Sequence, residues 1–165
     1  MPVCLATVLT IKVGNGGAAA GNLGFPVLIT NHGSTACSLN GFPTLTAHTE
    51  AVSPHPVTFV HTSRSQIYAT AKAKLVVVAP KGTASFGVSF VDALDQQYGE
   101  GPRCLMNGIT VRLPGVALLS KATISFAANN GGSGGPLSGG PINSCFAGFK
   151  FGLTPIVRGS VPPYK

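Results

Sequence analysis

Lys74-Leu75-Val76-Val77-Val78-Ala79-Pro80-Lys81-Gly82 runs into Thr83-Ala84-Ser85-Phe86-Gly87-Val88-Ser89-Phe90-Val91, and this stretch decides the fold class. Its first part is a nearly continuous apolar strand, Lys74 to Ala79. Its second part alternates Ala84, Phe86, Val88 and Phe90 on one side with Thr83, Ser85 and Ser89 on the other. Period-two alternation marks a half-buried strand. Pro80-Lys81-Gly82 between them is a tight turn, and the pair reads as a hairpin-like unit of an immunoglobulin-like sandwich.

The same grammar extends in both directions. Upstream, Val3 to Val13 reads as a first strand, and Leu23 to Asn31 as a second with Phe25, Val27 and Ile29 on one face. Pro43 to His48 and Val57 to His61 follow, with a polar loop from Thr62 to Ala71. Downstream, Leu105 to Leu113 points Ile109, Val111 and Leu113 inward, and Val116 to Leu119, Ala122 to Ala127 and Phe149 to Val157 complete the set. Around nine or ten short strands separated by turns predict an all-β, antiparallel sandwich. One domain is expected over residues 1–159, with a flexible glycine-rich loop at 129–140 and an extended tail at 160–165.

Composition agrees with that class. The chain has 165 residues, with 22 Gly, 13 Pro and only 9% charged side chains, so long helices are not expected. Eleven Lys and Arg against four Asp and Glu give a net charge of +7. The cations are spread singly, and the nearest approach to a cluster is Lys72 and Lys74. No nucleic-acid-binding motif accompanies them, so the charge reads as a diffuse field that favours acidic polymers. No stretch of about 20 apolar residues exists to span a membrane. The Val3–Val13 segment is interrupted by polar residues and is not a signal peptide; Met1 is read as a start codon placed where an export signal was removed.

Four cysteines stand at Cys4, Cys37, Cys104 and Cys145, in no zinc-type spacing. Two disulfides are expected, which implies an oxidising compartment. Three connectivities are possible. Cys4–Cys37 and Cys104–Cys145 are preferred because each pair brackets strands expected to be neighbours, and each closed loop would contribute roughly 3–4 kcal/mol. In Cys37-Ser38-Leu39-Asn40-Gly41-Phe42-Pro43, the cysteine is expected to staple the first strand to the end of the second. Leu39 and Phe42 are expected to fill the core, and Asn40-Gly41 to turn the chain.

Two fragments resemble trypsin-like proteases: Leu45-Thr46-Ala47-His48 and Gly132-Ser133-Gly134-Gly135-Pro136-Leu137. His48 would be the base, Asp92 or Asp95 its orienter and Ser133 the nucleophile. Against this, Gly132 stands where that family carries an aspartate. Two six-stranded barrels also need more chain, and the serine sits in a soft glycine-rich run. His32, His48, His55 and His61 lack a carboxylate or thiolate at ligand spacing, so no metal site and no cofactor are assigned. Asp92, Asp95 and Glu100 read as solvated loop charges rather than as a glycosidase pair or a Ca²⁺ loop. With no Trp, sugar-stacking platforms are limited to Tyr68, Tyr98 and Tyr164.

Taken together, these residues resemble the DUF4232 family of exported actinobacterial proteins. The resemblance is carried by Cys4, the strand ending at Asn31, Gly33-Ser34-Thr35-Ala36-Cys37-Ser38-Leu39 and Gly41-Phe42-Pro43. It continues through Val78-Ala79-Pro80-Lys81-Gly82-Thr83-Ala84, the acidic loop, and Cys104 opening the strand to Leu113, covering about residues 4–128. The family's usual Gly-Tyr-Pro is Gly-Phe-Pro here. The resemblance implies an immunoglobulin-like sandwich in secreted or envelope proteins, some of them lipoproteins, without catalytic residues to transfer. The expectation is thus a non-enzymatic, extracytoplasmic binding or assembly module. Its partners would be envelope proteins or anionic cell-wall polymers, or further copies paired through edge strands. The alternatives are a serine hydrolase using Ser133 and His48, and an adhesin-like binder of anionic envelope glycans.

Overall fold

A computed structural model describes residues 1–14, 16–19, 22–49, 57–62, 65, 67–69, 71–91, 105–116, 122–125, 142–143 and 150–160. Among them the secondary structure is strand throughout, apart from one 3₁₀ turn at Ala6–Val8. The strands are β1 Leu9–Val13, β2 Gly17–Ala19, β3 Asn22–Asn31, β4 Cys37–Leu39, β5 Thr44–Thr49, β6 Thr58–His61 and β7 Val76–Val78. After these come β8 Thr83–Val91, β9 Leu105–Arg112, β10 Ala122–Ser125, β11 Ile142–Asn143, β12 Lys150–Leu153 and β13 Val157–Arg158.

The largest sheet has the order β1-β3-β8-β12-β6, with β2 also on β3 and β13 also on β8. A second sheet places β9 between β5 on one side and β10 and β11 on the other; β4 and β7 form a third, two-stranded sheet. The alternation read in the sequence is the packing pattern. Phe25, Val27 and Ile29 of β3 and Ala84, Phe86 and Val88 of β8 have no exposed surface. They pack with Leu45, Ile109 and Val111 of the second sheet, and with Phe151, Leu153 and Ile156, in one core. Each large side chain so buried contributes about 1.5–3 kcal/mol. Phe59 stacks on Phe151, whose ring also meets Phe90, with centroids 5.1 and 5.2 Å apart.

Several sequence expectations are corrected. Val3 to Val13 is not one strand. Val3 bridges Ser38 in parallel, and the chain then crosses through the 3₁₀ turn to become β1 beside β3. The cause is the Cys4–Cys37 disulfide, which ties the first residues to β4. The cysteine therefore joins the segment before β1 to β4, not the first strand to the end of the second. Nor do β7 and β8 form a hairpin, because β7 pairs with β4 and the Pro80 turn carries the chain between sheets. The strand pairing is also not wholly antiparallel, since β6 runs parallel to β12. Phe42 is only half-buried; its ring stacks on His61, centroids 4.4 Å apart. The closing strand is split by Thr154-Pro155-Ile156 into β12 and β13. No strand includes Val116, and residues 117–119 lie outside the described residues, as do Cys104, Cys145, the 129–140 loop and all but Ser160 of the tail.

That split is a bulge. The register against β8 slips by one residue between Leu153–Val88 and Val157–Ser85. Thr154 heals the ladder: its amide donates to the Gly87 carbonyl at 3.0 Å, and its hydroxyl accepts from the Gly87 amide at 2.7 Å. Pro26 of β3 lies opposite Gly87 across the other edge of β8. It lacks an N–H, and it falls beside Gly14, where β1 has ended and β2 has not begun. A central proline is tolerated where the neighbouring ladder is already interrupted.

The polar loop expected from Thr62 to Ala71 contains a second apolar cluster, Ile67 and Tyr68, packed with Val157. Tyr68, expected within a polar loop, is thus a buried side chain. Its ring lies across the two glycines of the outer β3–β8 surface. A Cβ on Gly87 would come within 2.3 Å of that ring, and one on Gly24 within 3.1 Å. The Ser65 hydroxyl accepts from the Ile67 and Tyr68 amides at 3.1 and 3.3 Å, setting the ring's approach. Gly87→Ala is expected to lift this segment and cost about 1–3 kcal/mol, measured by urea unfolding. Tyr68→Ala combined with Gly87→Ala should cost less than the sum of the two single changes, because the clash then disappears.

Burial also raises the Tyr68 phenol well above its ordinary value of 10.0, because the phenolate would be desolvated. The folded state therefore holds a proton that the unfolded state releases above about pH 10. Stability is unaffected by this group below that pH and falls as pH rises through it. Tyr68→Phe should flatten the alkaline limb of a stability–pH curve.

Candidate functional site

Among the described residues, the outer face of the β5–β9 pair is an exposed polar surface. Alternation puts Leu45, Ile109, Val111 and Leu113 into the core and turns Thr44, Thr46, His48 and Arg112 outward, all exposed, with Thr110 half-buried among them. Cross-strand register then groups them: Thr44 lies opposite Arg112, Thr46 opposite Thr110, and His48 opposite Gly108. Thr123 of β10 stands at the register position across from Thr110 on the other side. With no side chain at Gly108, the imidazole of His48 leans diagonally and shares a 2.5 Å hydrogen bond with the Thr110 hydroxyl. Directly after His48 the register shifts, so the strand bends where the imidazole is presented. The surface offers hydroxyls, an imidazole and a guanidinium on one sheet face. Such a set can bind oxygen-rich, anionic or hydroxylated ligands.

The proposed triad is not assembled within the described residues. His48 is present with Thr110 as its partner, whereas Ser133, Asp92 and Asp95 lie outside them. His32 and His61 are exposed and His55 is outside the described residues. Phe42 and His61 are brought together, a juxtaposition the sequence did not announce. Among the described residues no group of three or more His, Cys, Asp or Glu is placed to hold a metal ion, and no helix is long and apolar enough to cross a membrane. Glu100, Tyr98 and Tyr164 also fall outside them.

At the opposite extreme of burial is Asn31, with no exposed surface. Its side-chain amide donates to the carbonyls of Thr35, Val78 and Ala79 at 2.9, 3.2 and 3.3 Å, and its side-chain oxygen accepts from the Gly33 amide at 2.8 Å. Its backbone closes the same corner: the Lys81 amide donates to its carbonyl, and its amide donates to the Gly82 carbonyl. One residue therefore ties the end of β3 to the approach to β4 and to the β7–β8 turn. Lys81, at φ 60°, takes the left-handed conformation that this turn requires.

The family model described as "Domain of unknown function (DUF4232)" matches residues 4–142. The chain belongs to the DUF4232 family. The match begins at Cys4 and reaches Ile142 in β11, so it also takes in the glycine-rich stretch that the sequence comparison left aside. No curated protein and no solved structure gives a significant match. In this DUF4232 chain the segments that carry the resemblance hold structural positions. Asn31 and Gly33 form the buried corner, Cys37 the disulfide, and Ala79 to Gly82 the inter-sheet turn.

Proposed function

We propose that this DUF4232 chain is an exported, non-enzymatic binding module whose recognition surface is the outer face of β5 and β9. The observation that carries the reading is the exposed grouping of Thr44, Thr46, His48 and Arg112 around Thr110. The arrangement resembles a docking surface more than a catalytic centre, because the imidazole is engaged by a hydroxyl on a sheet face. Strand order supports an immunoglobulin-like frame for it. β1-β3-β8 corresponds to strands A-B-E of that fold, and β5-β9-β10 to strands C-F-G. The Cys4–Cys37 disulfide supports an extracytoplasmic setting.

A second bridge between Cys104 and Cys145 completes the proposal. Leu105, which follows Cys104 in the chain, pairs with Asn143, two residues before Cys145. Alkylation under denaturing, non-reducing conditions should find no free thiol, and four alkylated cysteines would refute both bridges.

Arg112 among hydroxyls favours an anionic glycan as the ligand, in keeping with the net charge of +7. Retention on a polygalacturonate matrix tests this. Arg112→Gln should elute at lower salt than the parent, with unchanged thermal unfolding; equal elution would remove the β5–β9 face from the reading. Labelling of Ser133 by a fluorophosphonate, abolished in His48→Ala, would replace the whole proposal by a hydrolase.

A further inference from the structure

We propose that a second surface, the outer face of the small sheet formed by the Val3 segment, β4 and β7, docks onto an anionic lipid bilayer. Val3 bridges Ser38, and Ser38 pairs with Val77, so these three residues form one row across the sheet. Cys4, Cys37, Leu39, Val76 and Val78 turn inward and are buried. Alternation therefore sends Val3, Leu5, Leu75 and Val77 outward, and they are 48, 57, 60 and 37% exposed. Ser38 between them is covered, its hydroxyl donating to the Pro2 carbonyl at 3.1 Å, so it adds no polar group to the surface. Of the seven large hydrophobic side chains left exposed among the described residues, four share this small face. Apolar exposure concentrated in this way marks an interaction surface, whereas scattered single residues do not.

Charge decides the occupant. Lys72 and Lys74 are exposed in the run that leads directly into Leu75, and exposed Lys81 follows β7. No carboxylate stands among the described residues, so these ammonium groups have no anionic partner there. An isologous contact with a second copy would set the same lysines against each other in a chain of net charge +7. An anionic headgroup layer instead neutralises the lysines while Leu75, Val77, Val3 and Leu5 enter the acyl boundary. This surface is distinct from the β5–β9 face, and neither proposal depends on the other.

Co-sedimentation with vesicles tests it, using phosphatidylcholine alone against phosphatidylcholine mixed with phosphatidylglycerol. Binding to the mixed vesicles is expected, weakening as salt rises. Leu75→Ser with Val77→Ser should lower partitioning roughly tenfold or more, and Lys72→Gln with Lys74→Gln by a similar factor. Val91→Ser, at an exposed apolar position on β8, serves as the control and should bind as the parent does. All five substituted positions are exposed, so circular dichroism melts should confirm that every variant is folded. No binding to mixed vesicles would overturn the proposal, as would equal binding to both vesicle types or undiminished binding by the Leu75/Val77 variant. A concentration-dependent dimer in light scattering, lost in Val77→Ser, would also overturn it by assigning the face to a second copy.

Discussion

Replacing Asn31 by Ala is expected to destabilise the fold by about 3–4 kcal/mol in urea unfolding, a large share of a domain's total stability. The substitution removes the donor to Thr35, Val78 and Ala79 and the acceptor for Gly33 at a fully buried corner. Each group left without a partner carries a desolvation cost of about 1–3 kcal/mol, partly relieved where the corner relaxes toward water. Asn31→Asp is the sharper experiment because it keeps the shape. At neutral pH a carboxylate would face the Val78 and Ala79 carbonyls, where the native amide donates, so the loss should exceed that of Ala. The buried carboxyl's folded-state pKa would be raised, so its cost is largest above that pKa and shrinks as acidification protonates it. Stability of Asn31→Asp should therefore fall with rising pH through the carboxylate range relative to the parent. A loss below about 1 kcal/mol for Asn31→Ala would mean that the corner is held by its backbone bonds alone.

Removing the Cys4–Cys37 disulfide is expected to cost a similar amount, about 3–4 kcal/mol for a sequence separation of 33. The double change to Ala should lower Tm by roughly 6–16 °C for a chain of this size. The effect is twofold. The unfolded chain gains conformational freedom, and the Val3–Ser38 bridge loses the covalent tie beside it. Removing the tie should expose the amides of Ser38 and residue 4, which donate to the Pro2 and Ser38 carbonyls, to hydrogen exchange before the β3–β8 centre opens, since that centre carries the fully buried Phe25, Val27, Phe86 and Val88. Uniform protection across both regions would show that the bridge and the core open as one unit.

Much of this frame was legible in the sequence because alternation is a local signal. Thr83–Val91 and Leu23–Asn31 declared which side chains face inward, and Phe25, Val27, Ile29, Ala84, Phe86 and Val88 have no exposed surface. Cys4 and Cys37 were paired correctly from the strands they were expected to bracket, although the strands they actually join are different. Strand partners were less legible. Pro80-Lys81-Gly82 has the composition of a hairpin turn, yet hydrogen bonds from distant Asn31 direct it between sheets. Tyr68 reads as a loop residue because its sequence neighbours, Ile67 apart, are polar or small. What covers it is the flat floor made by Gly24 and Gly87, far away along the chain. The β5–β9 surface was half-visible: His48 was singled out, but Thr110 and Arg112 had no local signal and became its neighbours through register.

The sequence by itself determined the all-β class, the inward faces of the long strands and the family, and it made Cys4–Cys37 the preferred of three cysteine pairings. These depend on spacing along the chain, which period-two geometry converts directly into burial. Tertiary structure alone decided that β7 joins β4, that β6 runs parallel to β12, that Tyr68 roofs two glycines, and that Val3, Leu75 and Val77 share one exposed face. The strand pairings turn on which distant backbone completes a hydrogen-bonding edge, and the two side-chain groupings follow from where those strands lie. Edges are alike in every strand, so only the packing of the whole chain selects the partner.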